Sequence, residues 1–341
     1  MAVSVAILGA SGYAGGELVR LVDAHPSLEA TYLGAYSAAG QRLEAVHPQL
    51  AGGERVLGGI DPDSIPDVDL VLIALPHGSS VLPGMALADR GGKIIDLGSD
   101  FRMDTAGRYM EAYGVPHPAH LALSEWTYGL PELFDVADSR LVASPGCYPT
   151  AALLGLVPLV QAGLVDPARI IIDAMSGVSG AGRSLREDLL FGSIADGVRA
   201  YGVTAHRHRP EIEMGIETAT GIEAAIVFTP HLVPMLRGML VTSTVPLTRP
   251  SSRADLLEVL TDAYQGAPFV DIIGEPPQTR WVVGSNRALV TAYADSRTGN
   301  AIVISAIDNL LKGAAGQAIQ SANLMFGLPE TMGLPAAGLM P

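Results

Sequence analysis

The sequence predicts an α/β protein in which a doubly wound parallel sheet is followed by an α+β domain with a mainly antiparallel sheet. In the first part of the chain, continuous apolar segments alternate with helical patterns, which is typical of strands buried on both faces of a parallel sheet. After Gly182 the strand-like segments follow one another with fewer helices between them, as in an antiparallel sheet. At 341 residues the chain is long enough for two domains that each bury a core.

The strands and helices of the first part are predicted from the spacing of their apolar residues. Residues 2–8 form an apolar strand that ends in the glycine-rich turn GASGYAGG, and residues 17–24 repeat apolar residues at helical spacing. The same pattern predicts strands at 29–35, 68–75, 93–97 and 140–143, with a helix at 81–89. Together these elements predict a nucleotide-binding domain of about 150 residues.

The second part is predicted from short runs of β-branched and apolar residues. A final helix is expected at 310–326, because Asp308 and Asn309 are residue types that cap helix starts. The strands are expected at 224–229, 239–246, 269–273, 288–294 and 301–307.

Composition excludes several functional classes. A formal net charge of −14 without a basic cluster argues against a nucleic-acid partner. The apolar runs stop well short of the roughly 20 residues that cross a bilayer, and no secretion signal is evident, so we expect no membrane partner and a cytoplasmic location. The single cysteine, Cys147, excludes an internal disulfide and a cysteine cluster around a metal, and no metal site is expected.

The turn after the first strand has the character of a dinucleotide site. Gly9, Gly12 and Gly15 allow a tight turn in which backbone amides at a helix start face a pyrophosphate. Their G-x-x-G-x-x-G spacing is a variant of the usual fingerprint, but its place between a strand and a helix indicates a Rossmann-type domain.

The end of the second strand indicates which dinucleotide is bound. An NAD enzyme usually places Asp or Glu there to bond the ribose 2′-hydroxyl. This segment holds no acid, whereas Ser37 could donate to a 2′-phosphate and Arg42 could neutralise it. The pattern predicts NADP.

Cys147 is the candidate nucleophile. It follows Ser-Pro-Gly after a strand and stands just ahead of a helical run that begins at Pro149. A helix start favours the thiolate over the thiol, and the thiolate is the reactive form. The alternative is a buried structural cysteine, which would more often lie within a strand or a helix.

A thiolate nucleophile needs an acid/base partner, and one segment concentrates suitable groups. His206, Arg207, His208, Arg209 and Glu211 follow closely on one another. In the functional interpretation one histidine exchanges a proton with the reacting oxygen, the carboxylate orients an imidazole, and an arginine binds an anion. The alternative is an exposed polar loop.

Five segments, in chain order, resemble those of the N-acetyl-gamma-glutamyl-phosphate reductase family. They are GASGYAG near the N-terminus, PGCYPTA around the cysteine, SGVSGAGR at 176–183, HRHRPEI at 206–212 and IDNLLKGAAGQAIQ at 307–320. The likeness extends over essentially the whole chain, and PGCYPT and HRHxPE are its most specific parts. Aspartate-semialdehyde dehydrogenases share the architecture, but the Asn-Cys-Thr-like surroundings of their cysteine are absent here.

The resemblance implies an NADP-dependent reductase of arginine biosynthesis that acts on a small-molecule acyl phosphate. Cys147 would displace phosphate to form a thioester, and hydride from NADPH would then lead to N-acetylglutamate 5-semialdehyde. His208 matches the base of the family motif, with Glu211 as its partner. His206 is the less favoured base, because residues i and i+2 of an extended segment point in opposite directions.

The resemblance also implies the domains and the remaining site residues. The last helix would return to the cofactor domain, so that 1–149 with 310–341 binds NADP and 150–309 serves catalysis and dimerisation. The cofactor-binding residues, including those of the glycine turn, would be Gly9, Ser11, Gly12, Tyr13, Ala14, Gly15, Ser37, Arg42, Asn309, Lys312 and Gly313. The substrate-binding residues would be Ser176, Ser179, Gly180, Arg183, Arg207, Arg102 and His206.

Two alternatives stay open at this point. A paralogous reductase of a carrier-bound aminoadipyl phosphate, as in lysine biosynthesis, would use the same cysteine and histidine. A non-catalytic NADP-binding regulatory protein would have no use for a reactive thiol. An exposed antiparallel sheet in the second domain would favour self-association through one face, which predicts a homodimer or homotetramer.

Overall fold

The computed structural model of the chain describes residues 2–50 and 54–340, which form two compact units. The first contains the described parts of Met1–Ala106, Pro116–Pro145 and Ala314–Leu334, and the second contains those of Gly107–Val115, Gly146–Gly313 and Pro335–Pro341. The sequence suggested the cofactor domain for residues 107–115, 146–149, 310–313 and the segment after 334, but all of these group with the second unit. Residues 1, 51–53 and 341 of the expected domains lie outside the described residues.

The bounds of the strands and helices are as follows. The strands are β1 (Val3–Leu8), β2 (Leu28–Gly34), β3 (Leu70–Ile73), β4 (Lys93–Asp96), β5 (Thr127–Tyr128), β6 (Leu141–Ala143), β7 (Ile170–Ser176), β8 (Arg199–Ala200), β9 (Ile226–Leu232), β10 (Met239–Pro246), β11 (Val270–Ile272), β12 (Ala288–Asp295) and β13 (Asn300–Ile307). The α-helices are α1 (Tyr13–Asp23), α2 (Leu43–Val46), α3 (Val81–Ala88), α4 (Ala106–Tyr113), α5 (Cys147–Gln161), α6 (Phe191–Ile194), α7 (His208–Thr220), α8 (Arg253–Ala263) and α9 (Gly316–Met325).

The first unit is built on a sheet with the strand order β2-β1-β3-β4-β6-β5, in which every neighbouring pair is parallel. Its apolar strands are covered on both faces, and Ile7, Leu72 and Ile95 are fully buried. The strand order reverses at β1, because β2 lies on one side of it and β3 on the other. Ligands of such sheets bind at the carboxyl ends of the strands beside this reversal. The predicted doubly wound parallel sheet is confirmed.

The second unit contains a mixed sheet with the order β11-β12-β13-β10-β7-β9-β8. The pairs β11–β12 and β7–β9 are parallel and the others are antiparallel, which confirms a mainly antiparallel sheet. Helix α5 packs closely on one face: a Cβ at Gly155 would lie 2.8 Å from Val303 Cγ1. Strand β7 was not predicted, because its run of three isoleucines hides the alternation of buried and exposed residues that the structure shows.

The chain leaves β13 through a helix start that Asp308 caps. The Oδ1 atom of this buried carboxylate accepts hydrogen bonds from the N–H groups of Leu310 (2.8 Å) and Leu311 (3.2 Å). The predicted helix is interrupted there, since Leu311–Ala315 is π-helical and α9 begins only at Gly316. Helix α9 lies in the first unit.

Candidate active site

The candidate nucleophile begins helix α5. Cys147 is the first residue of this helix and is half-buried, although the sequence predicted a start at Pro149. The N-cap residue, Gly146, has no side chain that could cap the first turn. The backbone N–H groups of that turn and the helix dipole favour negative charge at this end. The setting suits a thiolate.

One carboxylate joins the turn before the nucleophile to the predicted base. Glu211 is fully buried, and its Oε1 accepts a hydrogen bond of 2.8 Å from the N–H of Gly146. Its Oε2 lies 3.9 Å from Nε2 of His208, which is the first residue of α7 and is also buried. The segment around Cys147, the imidazole and the carboxylate thus lie together in the second unit.

His206 lies beside His208. Their ring centroids are 4.8 Å apart, and Nδ1 of His206 accepts a hydrogen bond of 3.2 Å from the backbone N–H of His208. Burial, with the positive charge of Arg207, lowers the pKa of His206 to about 4. The expectation that side chains two residues apart would point in opposite directions is wrong here, because α7 begins at His208 and the segment is not extended.

Aromatic rings that the sequence did not single out surround these histidines. Tyr148, Tyr201 and Phe228 each have a ring centroid within 5.7 Å of that of His206. The two phenol oxygens are 3.0 Å apart, and burial raises the pKa of both phenols. Tyr148 belongs to the PGCYPTA segment, but no motif marks Tyr201 or Phe228, and the three residues come from separate parts of the chain.

The loop after β7 carries several predicted substrate-binding residues. Ser176 ends the strand and is buried, and its hydroxyl donates to the next carbonyl at 3.0 Å. The hydroxyl of Ser179 accepts a hydrogen bond of 3.0 Å from the side-chain amide of Asn309. Gly180 packs closely on this loop, since a Cβ there would lie 2.9 Å from the Ser176 hydroxyl. The loop is therefore held in place by contacts within it and by the side chain of Asn309.

The three candidate arginines have different surroundings. Arg183 and Arg207 are exposed. Arg102 is buried in the first unit, where its Nε donates to the carbonyl of Ser144 at 2.9 Å and its Nη2 to that of Leu97 at 2.8 Å. Two donors of Arg102 therefore serve the backbone, and the exposed arginines are more accessible to an anion.

Two of the three C-terminal residues expected at the cofactor, Asn309 and Gly313, contact other parts of the second unit. Asn309 accepts a hydrogen bond of 2.7 Å from the N–H of Gly238 in addition to its bond with the substrate loop. Lys312 is fully buried. Gly313 packs against the nucleophile, because a Cβ at this position would lie 2.7 Å from Cβ of Cys147.

The glycine turn forms an open cradle at the start of α1. Gly9 has a φ of +87°, and a Cβ there would lie 2.3 Å from the carbonyl oxygen of Ala74. A Cβ at Gly15 would lie 2.0 Å from the carbonyl oxygen of Gly9. The N-cap residue Gly12 places no side chain over the helix N-terminus, so the turn fits a pyrophosphate. Ser11 lies within this turn, and Tyr13 and Ala14 are the first two residues of α1.

Ser37 and Arg42 follow β2 on the surface of the first unit. Ser37 is exposed. The guanidinium of Arg42 is half exposed and pairs with the carboxylate of Glu44, with Glu54 at 4.0 Å. A 2′-phosphate would compete with these two carboxylates for the guanidinium.

A second turn lies at the same edge of the first sheet and was not predicted. It joins β3 to α3 through His77, Gly78 and Ser80. The buried carboxylate of Asp100 accepts hydrogen bonds from the N–H groups of Gly78 (2.8 Å) and Ser80 (3.0 Å), and it lies 2.8 Å from Nδ1 of His77. Burial and the charge of Asp100 raise the pKa of the neighbouring Asp96 to about 7. The position of this turn after the strand next to β1 is the signal that could have identified it.

Two further properties concern the described residues alone. Within 2–50 and 54–340, no helix has the length and apolar character needed to span a membrane. The same residues contain no group of three or more His, Cys, Asp or Glu side chains that could hold a metal ion.

Family models and solved structures match both units. The model described as semialdehyde dehydrogenase, NAD binding domain matches residues 4–138, and that described as semialdehyde dehydrogenase, dimerisation domain matches residues 147–309. Aspartate semialdehyde dehydrogenase II of Vibrio cholerae, complexed with ASA, has a TM-score of 0.72 at 19% identity, with 96% of this chain and 99% of that chain covered. Aspartate semialdehyde dehydrogenase with NADP from Candida albicans has a TM-score of 0.67 at 16% identity and the same coverage. At these identities the likeness shows the fold.

Curated relatives are closer in sequence. N-acetyl-gamma-glutamyl-phosphate reductase of Moorella thermoacetica is 46% identical, with 99% of this chain and 100% of that protein covered. The protein of the same name from Frankia casuarinae is 47% identical, with both chains covered completely. The resemblance predicted from the central motifs is confirmed: the chain belongs to the N-acetyl-gamma-glutamyl-phosphate reductase family.

Proposed function

We propose that this chain reduces N-acetyl-gamma-glutamyl phosphate with NADPH to N-acetylglutamate 5-semialdehyde and phosphate, a step of arginine biosynthesis. The observation that carries the proposal is the buried carboxylate of Glu211, whose two oxygens face the Gly146 N–H beside the nucleophile and the imidazole of His208. A nucleophile, a base and an orienting group in one cluster suit acyl transfer through a covalent intermediate. Membership of the family supplies the substrate.

Cys147 carries out the first half of the proposed reaction. Its thiolate attacks the acyl carbon, a C–S bond forms, the bond from that carbon to the phosphate oxygen breaks, and phosphate leaves with the electron pair. The start of α5 favours the thiolate, and N–H groups at a helix start are suited to the oxygen that becomes negative during the attack. The result is a thioester on Cys147.

His208 handles the proton in the second half. NADPH, when bound, supplies the hydride that reduces the thioester carbon. The imidazole protonates the oxygen of the resulting thiohemiacetal and removes that proton again when the C–S bond breaks, which releases the aldehyde and restores the thiolate. Glu211 stabilises the imidazole while it is charged: at 3.9 Å and an effective dielectric of about 20, two opposite unit charges attract by about 4 kcal/mol.

The cofactor role belongs to the glycine turn and to the loop after β2 in this proposal. The backbone of the turn suits the pyrophosphate, and Ser37 with Arg42 suits the 2′-phosphate of NADP. Asn309, Lys312 and Gly313 keep a proposed cofactor role, although Asn309 and Gly313 also contact other parts of the second unit. The other proposed cofactor-binding residues are Gly9, Ser11, Gly12, Tyr13, Ala14 and Gly15.

The anionic groups of the substrate are assigned to the loop after β7 and to the exposed arginines. Arg183 and Arg207 have the accessibility that a diffusing anion requires. Arg102 ranks lower, because its donors already serve backbone carbonyls. We do not retain His206 as a substrate ligand, because its Nδ1 accepts the backbone N–H of His208. Ser176, Ser179 and Gly180 complete the proposed substrate loop.

Self-association and a cytoplasmic location are part of the same proposal. Ile171 and Val227 lie on neighbouring strands of the second unit and are 48% and 62% exposed. Paired isoleucine and valine side chains on an open sheet face are suited to contact with a second copy. The alternatives, a reductase of carrier-bound aminoadipyl phosphate and a regulatory protein, are not favoured, since the full-length relatives are named as N-acetyl-gamma-glutamyl-phosphate reductases.

The reverse reaction tests the proposed function directly. Purified protein is given NADP, inorganic phosphate and N-acetylglutamate 5-semialdehyde, and formation of NADPH is followed by absorbance. We expect reduction that depends on phosphate and is much faster than with aspartate semialdehyde. The proposal would be contradicted if NADP were reduced with aspartate semialdehyde but not with N-acetylglutamate 5-semialdehyde, or with neither aldehyde.

A further inference from the structure

We propose that His206 is a positioning residue, which holds the imidazole of His208 in place and neither exchanges protons with the substrate nor binds it. The inference rests on the proposed function, because it concerns the same base. It assigns different roles to two histidines that the sequence motif presents as near equivalents.

The first observation is a hydrogen bond at the start of α7. The initial N–H groups of a helix have no partner within the helix, and polar side chains just before it commonly satisfy them. The N-cap residue, Arg207, makes no such bond with its side chain. The Nδ1 of His206 accepts the bond from the N–H of His208 instead, at 3.2 Å. His206 therefore fixes the backbone of the residue that is to act as the base.

This hydrogen bond also decides which nitrogen of His206 carries the proton. A neutral imidazole has one N–H and one lone pair, and the lone pair of Nδ1 is used by the backbone donor. The proton of the neutral ring therefore lies on Nε2. Such a ring has no lone pair left to accept a proton from a thiohemiacetal hydroxyl, so it is unsuited to the role of base.

The second observation is a cage that holds the His206 ring without substrate. Its centroid lies 5.7 Å from that of Tyr148 in α5, 5.5 Å from that of Tyr201 and 5.3 Å from that of Phe228 in β9, all in edge-on arrangements. Aromatic pairs favour such geometry. A Cβ at Gly202 would approach the ring to 3.1 Å, so the glycine leaves room for it.

Because the His206 ring is held in this cage, its edge-on contact with the ring of His208 restricts the position of the base. The ring centroids of His206 and His208 are 4.8 Å apart. Nε2 of His208 lies 3.9 Å from Oε2 of Glu211, one turn further along α7. Tyr148, Tyr201 and Arg207 are further titratable or charged groups near His206. Burial and Arg207 keep the pKa of His206 near 4, so the ring stays neutral and the hydrogen bond is retained at neutral pH.

Two substitutions at one position separate the roles. His206→Asn keeps a side-chain oxygen that can accept a hydrogen bond from the N–H two residues on. His206→Phe keeps a ring of similar size and removes the acceptor. We expect His206→Asn to retain kcat within about threefold and His206→Phe to lose roughly 10- to 100-fold in kcat, the effect of a base displaced by up to about 1 Å, while KM for the acyl phosphate changes little in both.

Other outcomes would overturn the inference. If both variants lose as much kcat as His208→Asn, His206 exchanges protons. A rise in KM for the acyl phosphate at unchanged kcat in both variants means that His206 binds substrate, and wild-type kinetics in both means that it positions nothing. Rates are normalised to the active sites counted by alkylation of Cys147, so that a loss of folded protein is not read as a loss of kcat.

A measurement on the wild-type protein decides the case if His206→Phe does not fold. Two-bond ¹H–¹⁵N spectra of the histidine rings, with His206 assigned from the His206→Asn protein, report the protonated nitrogen. We expect Nε2–H on His206 from pH 6 to pH 9 with no titration. Nδ1–H, or titration in this range, would refute the inference. This result does not depend on turnover, so failure of the proposed function would be seen separately as an inactive wild-type enzyme.

Discussion

Replacing Gly313 with alanine adds one methyl group directly against the nucleophile. A Cβ at this position would lie 2.7 Å from Cβ of Cys147, 3.2 Å from its Cα and 3.2 Å from Cδ1 of Ile307. Two of these three atoms belong to Cys147 and cannot rotate away, since one is Cα and the other is fixed to it. Carbon atoms pack best at about 3.5–4.0 Å, so Cys147 or the π-helical turn must move by about 1 Å.

The size of this shift sets the expected effect. A displacement of about 1 Å between reacting groups lowers the rate roughly 10²-fold. Overpacking of this kind also lowers the free energy of unfolding by about 1–3 kcal/mol. We therefore expect Gly313→Ala to lose roughly 10²-fold in kcat while KM for NADP stays near the wild-type value, because the clash is with atoms of the nucleophile.

Steady-state kinetics of the reverse reaction provide the assay, with Gly107→Ala as the matched control. Gly107 lies in α4 of the same unit, and a Cβ there meets nothing within 4 Å. The control should keep wild-type activity and gain slightly in stability, since alanine favours helices. A Gly313→Ala enzyme with kcat within threefold of wild type would refute the packing argument. A rise in KM for NADP without a loss of kcat would instead support the cofactor role proposed for Gly313.

Three further predictions concern the cofactor, the pH dependence of stability and the orienting carboxylate. We expect higher catalytic efficiency with NADP than with NAD and a narrowed or reversed preference in Ser37→Asp, whose carboxylate would repel a 2′-phosphate; equal efficiencies in the wild type would contradict the assignment. The pKa of Asp96 is raised from 3.8 to about 7 in the folded protein. Between these two values the carboxyl is protonated in the folded protein and ionised in the unfolded chain, so the free energy of unfolding falls as the pH rises from about 4 to about 7. Asp96→Asn mimics the protonated form and should raise the free energy of unfolding at pH 8 by up to about 4 kcal/mol but hardly at pH 4, as measured by urea unfolding; an equal change at both pH values would count against the buried proton. Glu211→Gln keeps the size of the side chain and removes its charge 3.9 Å from His208, so kcat should fall by up to roughly 10³-fold; unchanged kcat would remove the carboxylate from the mechanism.

Local chemistry made much of the fold and part of the site predictable. The alternation of apolar strands with helices indicated the parallel sheet. The glycines after β1 marked the turn, because at Gly9 and Gly15 a side chain would collide with the backbone. The preceding Pro-Gly and Pro149 indicated a helix start close to Cys147, although the helix begins two residues earlier than predicted. These signals act over a few residues and are therefore visible in one sequence.

Partnerships between distant residues could not be predicted in this way. Arg102 looked like an anion ligand, but burial in the first unit turned two of its donors toward backbone carbonyls. The hydrogen bonds from the turn after β3 to the carboxylate of Asp100 form because β3 and β4 are neighbours in the sheet, and the sequence alone does not show this pairing. His206 and His208 could not be separated, because their roles depend on where α7 begins and on which lone pair the backbone uses.

The most direct test of the account is to trap the thioester in the absence of NADPH. The enzyme is mixed with N-acetyl-gamma-glutamyl phosphate alone, phosphate release is followed in the first turnover, and the protein is analysed by intact mass and peptide mapping. The account predicts one phosphate per active site and one N-acetylglutamyl group on Cys147, and neither in Cys147→Ser. An unmodified cysteine with no phosphate burst, or a Cys147→Ser enzyme that still turns over, would contradict covalent catalysis by this residue.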